Sequence, residues 1–160
     1  MSEFEAEMSV TRRLLGRVPS EHGKWRPHEK SFPLGHLAQL IALMPGWIGQ
    51  TLTTTELDLA SGSGYTYETT ETLLRMFDEN VEASREALAS VTEAELDVPW
   101  SLKLGGRVLA TLPRREWIRQ HLNHLIHHRG QLTVYLRLLD VPIPSIYGPT
   151  ADEPWRTPEN

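Results

Sequence analysis

Four stretches of this sequence place apolar residues at helical spacing, and proline or glycine separates them. The first covers about residues 3–18 and ends before Pro19, and the second covers roughly 32–52. The third covers about 68–90, and the last begins at Pro113 and runs to about 139. Apolar residues that recur every three to four positions predict helices with one buried face. The spacing therefore predicts a mostly helical chain.

Two features interrupt this helical pattern. Pro45 lies inside the second segment and is expected to kink or split that helix, because its ring displaces the carbonyl four residues back. Residues 98–112 form two short runs around Gly105 and Gly106, which predicts a short β-hairpin before the last helix. The tail, about 140–160, contains five prolines and is expected to be extended or looped.

The composition is that of an ordinary globular protein. Its 160 residues fit a single domain spanning 1–160, with 39% hydrophobic and 23% charged residues. The net charge of −5 argues against a nucleic-acid partner, which favours basic surfaces. The absence of cysteine excludes disulfides, thiolate metal ligands and a cysteine nucleophile. An acidic N-terminus and the lack of any apolar run of ~20 residues predict no signal peptide, no membrane span and a cytoplasmic location.

A cluster of histidines in the last predicted helix is the strongest chemical signal. Four of the seven histidines fall within residues 121–128. At about 100° per residue, His121, His124 and His128 lie within roughly 60° of one another, on the side of the leucine stripe. They are therefore predicted to point inward, whereas His127 projects about 100° away from His128. Imidazoles one helical turn apart can share a metal, so His124 and His128 form the strongest pair.

A third ligand must come from another part of the chain, because two ligands hold a metal weakly. His36, on the second predicted helix, is the best-placed candidate, followed by His28 and His121. Three neutral imidazoles without a thiolate accept zinc, nickel, iron or copper. The alternative is a solvent-filled cleft in which the histidines bond to water and carboxylates.

Several residues near the cluster are candidates for supporting roles. Gln131 and Tyr135 continue the same helix side, where either can orient a metal-bound water or a substrate and Tyr135 can donate a proton. The structural alternative for Tyr135 is a core aromatic residue with its hydroxyl bonded at the rim. Arg129 lies off the stripe and is expected at the surface or in an ion pair.

Aromatic and acidic residues outside the last helix complete the candidate set. Trp47 is expected to lie in the core or in a pocket wall, and Tyr65 and Tyr67 are candidates for lining a cleft. Asp152 and Glu153 in the tail can fold back behind a metal-bound histidine. Interaction with a helix dipole or surface pairing of these two carboxylates is the favoured interpretation.

Five segments together resemble the DinB family, also called DinB/YfiT-like metalloenzymes. The similarity covers about residues 11–153 and rests on the segments TRRLLGRVP, WRPHEKSFPLGHLAQLIALMPGW, PWSLKLGGRVLATLPR, HLIHHRGQLTVYLRLL and PSIYGPTADE. This resemblance implies an all-α fold, an up-down four-helix bundle with a long crossover connection. It also implies a homodimer and a metal held by three histidines.

The resemblance assigns two of the three metal ligands directly. His124 and His128 match the two histidines of the family's HxxxHRGQ pattern. The third histidine of the family lies in a segment like LGxLAxH, where this chain has Leu40, with His36 one turn, or about 5.4 Å, earlier. His36, a substitute such as His28 or His121, or a degenerate site without metal are the alternatives. The predicted set is His36, His124 and His128, holding zinc, nickel or iron.

The resemblance also implies two classes of function. The first is a metal-dependent enzyme, either a thiol S-transferase acting on low-molecular-weight thiols or a hydrolase of a small-molecule substrate. The second is a non-catalytic, stress-related helical bundle that serves in binding or dimerisation and carries a degenerate metal site.

Overall fold

Helices make up most of the structure, a computed structural model that describes residues 1–62 and 64–155. The helices are α1 Ser2–Leu15, α2 Leu34–Thr53, α3 Thr70–Ser90, the short α4 Glu93–Leu96 and α5 Arg114–Leu138. The strands are β1 Glu56–Asp58, β2 Pro99–Leu104 and β3 Arg107–Pro113. Within the described ranges, no helix has the length and apolar character needed to cross a membrane.

The four long helices share one hydrophobic core, and α2 lies at its centre. α2 packs along both α3 and α5 and also touches α1, which in turn contacts α3 and α5. Leu37, Ile41 and Met44 of α2 are at most 1% exposed and belong to the same cluster as Phe77 of α3 and Leu132 of α5. The predicted helical segments are therefore confirmed. The relative directions implied by an up-down bundle remain a prediction.

Pro45 was predicted to kink or split the second helix; the helix continues through it, so the alternative of a split is wrong. The hydroxyl of Ser84, on α3, donates to the Pro45 carbonyl over 2.5 Å and accepts from the Gly49 N–H over 3.0 Å. A regular helix would bond those two backbone groups to each other. A Cβ placed on Gly49 would lie 2.9 Å from the Ser84 hydroxyl. The close approach of α2 to α3 thus requires glycine at this position.

A three-stranded sheet in the order β1-β2-β3 corrects the expectation of an all-α fold. The predicted hairpin is confirmed, since β2 and β3 pair antiparallel around Gly105 and Gly106, whose φ angles are 57° and 79°. Strand β1 was not predicted, and it pairs parallel to β2. The Asp58 carboxylate accepts from the N–H groups of Gly105 (2.8 Å) and Gly106 (2.6 Å). These bonds tie the hairpin turn to β1. The hydrogen bond from the Ala60 N–H lowers the pKa of Asp58 most, and the bonds from Gly106 and Gly105 lower it further.

The C-terminal tail is tied by surface ion pairs to the C-terminal ends of α1 and α5. Asp152 pairs with Arg137 over 2.5 Å, and Glu153 pairs with Arg13 over 2.6 Å. Neither carboxylate is bonded to a histidine within the described residues. The preferred reading of these acids as surface partners is confirmed.

A buried ion pair joins α1 to α5. Arg129 is 1% exposed, and its Nη2 lies 2.6 Å from the Glu7 carboxylate. Its Nη1 donates to the Thr11 hydroxyl over 3.0 Å, and Nη2 also donates to the Tyr147 hydroxyl over 2.6 Å. Tyr147 in turn donates to Glu7 over 2.9 Å. Arg129 is therefore an ion-pairing residue, as expected, but the alternative surface position is wrong.

Replacement of Arg129 tests the importance of this buried pair. Arg129→Met leaves the Glu7 carboxylate buried without its cation, so we expect the free energy of unfolding to fall by about 3–5 kcal/mol. The matched control is Arg12→Met, which removes an exposed pair with Asp78 and should cost less than about 1 kcal/mol. Urea unfolding followed by circular dichroism measures both values. Equal losses in the two variants would contradict the assignment.

Candidate functional site

His124 and His128 face each other on α5. Their Nε2 atoms lie 2.9 Å apart, one helical turn from each other. His128 is 8% exposed and thus buried, whereas His124 is exposed to solvent. His121, His124 and His128 were predicted to point inward; His124 instead lies about 40° from His128 round the helix, at the edge of the buried face, and is exposed. The pair occupies the border between core and solvent.

Gln131 sets the protonation pattern of the pair. Its Oε1 lies 2.7 Å from Nδ1 of His128, one turn further along α5. An amide oxygen only accepts hydrogen bonds, so Nδ1 of His128 carries the proton and its Nε2 holds a lone pair. That lone pair accepts the Nε2–H of His124. One proton therefore lies between two ring nitrogens that face each other.

Both imidazoles are neutral at neutral pH. Partial desolvation by neighbouring side chains lowers the pKa of His124, although the residue is exposed overall, and the adjacent rings of His128 and His127 lower it further. Burial also lowers the pKa of His128, against the opposing effect of the hydrogen bond to Gln131. Metal ligation requires the neutral form of imidazole. The pair meets that requirement.

His36 is linked to the pair only through Phe32 and is not part of it. Its ring stacks on Phe32, at 4.4 Å between centroids, and on Tyr65, at 3.7 Å. Phe32 is also 6.5 Å from the ring of His128, so it borders both histidines. Across the described ranges, no group of three or more His, Cys, Asp or Glu side chains is arranged to hold a metal. The structure thus brings together two of the three predicted ligands, while the third stacks on the far side of Phe32.

His121 belongs to an aromatic cluster in the core. It is 9% exposed, stacks on Trp117 at 5.8 Å and meets the edges of Trp47 and Trp100. The Thr51 hydroxyl lies 3.2 Å from its Nε2 and donates its own proton to the Trp47 carbonyl. Nε2 of His121 is therefore the donor, and burial lowers the pKa of this histidine to about 4. His121 is a structural residue in this arrangement.

The remaining candidates are bonded to backbone atoms. Nδ1 of His28 accepts from the Lys30 N–H over 3.1 Å, in the exposed segment before α2. The Tyr135 hydroxyl donates to the Phe32 carbonyl over 3.1 Å, and the Tyr135 ring meets the edge of Trp25. Tyr135 therefore has the rim-bonded arrangement that was its structural alternative.

Two clefts border this region, and Tyr65 lines both. The larger has a volume of about 740 Å³ and includes His36 and Tyr67 in its wall. The smaller, of about 400 Å³, includes Trp47, whose ring lies 6.0 Å from that of His124. The expected cleft-lining roles of Trp47, Tyr65 and Tyr67 are confirmed. Sequence reasoning missed Phe32, for which the only signal was an aromatic residue one turn before His36.

The buried state of His121 predicts a specific pH dependence of stability. Its folded pKa of about 4 lies below the ordinary value of 6.5. As the pH falls below 6.5, the unfolded chain therefore binds a proton that the folded chain does not, and the free energy of unfolding decreases. We expect this residue to account for a loss of about 3 kcal/mol between pH 7 and pH 4.

Urea unfolding of the wild type and His121→Gln at both pH values measures this contribution. The stability difference between the two proteins should shrink by about 3 kcal/mol on acidification. The exposed His22 provides the control, since His22→Gln should track the wild type. A difference that does not change with pH would contradict the assignment.

Comparison with known proteins places the chain in a family. Two solved structures share its fold: a DinB-like protein from Bacillus subtilis and one from Bacillus cereus. The first has a TM-score of 0.72 and 22% identity, covering 91% of this chain and 95% of the other. The second has a TM-score of 0.70 and 21% identity, covering 91% and 94%. A search of curated proteins finds no significant match. The DinB family model matches residues 1–159, and the chain therefore belongs to the DinB family.

Proposed function

We propose that this DinB-family protein binds a divalent transition metal, zinc, nickel or iron, between His124 and His128. The observation that carries the proposal is the 2.9 Å separation of their Nε2 atoms. Two nitrogen ligands at ~2.0–2.1 Å around a tetrahedral metal lie about 3.3 Å apart. Small rotations of the two rings, with the Nε2 proton of His124 moved to its own Nδ1, would therefore let both Nε2 lone pairs face a metal.

His36 is the proposed third ligand. Its ring is held between Phe32 and Tyr65, so it must leave this stack to join the pair. Burial lowers the pKa of His36, which favours the neutral form that a metal needs. The donor set of three imidazoles suits zinc, nickel and iron.

The proposed activity is that of a metal-dependent thiol S-transferase or hydrolase. Such a metal would polarise a bound water or thiol and lower its pKa. The chain's own residues would help to position the reacting groups: Gln131 orients His128, Phe32 lies near the ring of His128, and Trp47 lies near the ring of His124. We also propose an up-down four-helix bundle, a homodimer and a cytoplasmic location.

A non-catalytic binding or dimerisation module with a degenerate metal site is the second candidate. Two observations favour it. Leu40, at the position where the family pattern places a histidine, is a core residue with 6% exposure. His36 is engaged in an aromatic stack rather than aimed at the pair.

Metal titration of tag-free, chelator-stripped protein separates the two candidates. We expect one zinc, nickel or iron(II) ion per chain, measured by competition with a chromophoric chelator. His128→Ala removes a ligand and should lower affinity at least about 10-fold. The matched control is His127→Ala, an exposed neighbour that should bind as the wild type does. Absence of binding by the wild type to all three metals would refute the proposal.

His36→Ala in the same titration tests the third ligand. A loss comparable to that of His128→Ala indicates a three-histidine site, and an unchanged affinity indicates that His36 is not a ligand. A conjugation screen with low-molecular-weight thiols and electrophiles, on metal-loaded protein, then tests for transferase activity.

Gln131 should tune this metal affinity without being a ligand. Gln131→Met removes the acceptor for Nδ1–H of His128 at similar side-chain volume, and we expect affinity to fall about 10-fold. The control is Gln120→Met, at an exposed position of α5, which should leave affinity unchanged. Equal affinities for the two variants would show that the hydrogen bond does not support ligation.

A further inference from the structure

The larger cleft beside His36 is a candidate ligand site distinct from the histidine pair. Its volume of about 740 Å³ lies within the ~300–1,000 Å³ typical of small-molecule sites. His36 and Tyr65 contribute aromatic surface to its wall, and neither His124 nor His128 lines it. The cleft thus adjoins the proposed metal site through His36.

Close packing around Tyr67 fixes the shape of this cleft. A Cβ placed on Gly23 would lie 2.7 Å from the Tyr67 ring, and one placed on Gly35 would lie 2.4 Å from it. The Gly35 N–H donates to the Gly23 carbonyl over 2.9 Å, and the Tyr67 hydroxyl lies 3.2 Å from that of Thr70. Three separate segments of the chain are therefore held together, which makes the cleft a preformed feature.

Four charged side chains of both signs line the cleft. They are Glu21, Lys24, Arg26 and Glu68, and all four are exposed. None of them forms an ion pair within residues 1–62 and 64–155. Two cations and two anions around one cavity are thus available to a ligand.

We propose that this cleft binds a small zwitterion, a molecule with one carboxylate and one ammonium group, such as a free amino acid or a short peptide. A purely anionic ligand would meet Glu21 and Glu68, and a purely cationic one would meet Lys24 and Arg26. Only a ligand with both charges pairs with both sets. The aromatic surface of His36 and Tyr65 favours a planar or apolar side chain on that ligand.

This proposal deepens the proposed function. It rests on that function in one respect, because His36 belongs both to the cleft and to the proposed metal site. Ligand binding is therefore measured on metal-free protein, so that it does not depend on metal affinity. It is repeated in His128→Ala, which should leave ligand binding unchanged because His128 does not line the cleft. A failure of metal binding and a failure of ligand binding are then separate results.

A matched ligand series tests the proposal. Phenylalanine carries both charges, phenylalanine amide only the positive one, and N-acetylphenylalanine only the negative one. Titration followed by protein NMR should show phenylalanine binding about three- to five-fold more tightly than either analogue, as expected for the loss of an exposed ion pair. Equal affinities for the three, or no binding at about 10 mM, would overturn the proposal.

Two double variants assign the charges. Lys24→Ala/Arg26→Ala should weaken the binding of phenylalanine and N-acetylphenylalanine and leave the binding of the amide unchanged. Glu21→Gln/Glu68→Gln should weaken the binding of phenylalanine and the amide and leave the binding of N-acetylphenylalanine unchanged. The control is Glu29→Gln/Lys30→Ala, which removes one charge of each sign from the same exposed segment outside the cleft. An equal loss in the control would overturn the assignment.

Discussion

The buried guanidinium of Arg129 fixes how α5 sits against the rest of the molecule. Arg129 and His128 are consecutive, so their side chains project about 100° apart. Once Arg129 is committed to Glu7 and Thr11 on α1, His128 is turned towards Phe32 on another side of the helix. His124 follows one turn earlier on nearly the same side. The geometry of the histidine pair therefore depends on an ion pair on another face of the same helix.

The tryptophan cluster imposes a second constraint on the histidines. The Trp117 indole donates to the Trp100 carbonyl, and the Trp100 indole donates to the Thr54 hydroxyl, so β2, α5 and the end of α2 are joined. His121 fills the space between these rings and commits its Nε2–H to Thr51. Of the three histidines that share one side of α5, one is thus part of the core, and the other two turn their Nε2 atoms towards each other.

His36 connects the histidine pair to the larger cleft. It lies at the start of α2 and is stacked between Phe32 and Tyr65. Phe32 lies between His36 and His128. On its other side His36 stacks on Tyr65, and both of these residues line the larger cleft. The same residue is therefore the proposed third ligand and a wall of the proposed zwitterion site. Because the histidine stands one turn before Leu40, it stacks with Phe32 and Tyr65, and these aromatic rings lie between the histidine pair and the larger cleft.

The sequence by itself determined the local features of this protein. Apolar spacing located the four long helices, the Gly105–Gly106 turn located the hairpin, and the spacing of four between His124 and His128 made them neighbours, because each depends only on residues close in the chain. The tertiary structure decided the rest. The pairing of β1 with β2, the burial of Arg129, the core position of His121 and the stacking of His36 all depend on partners distant in sequence. Periodicity shows which side of a helix is apolar, but only packing decides which neighbour each side chain meets.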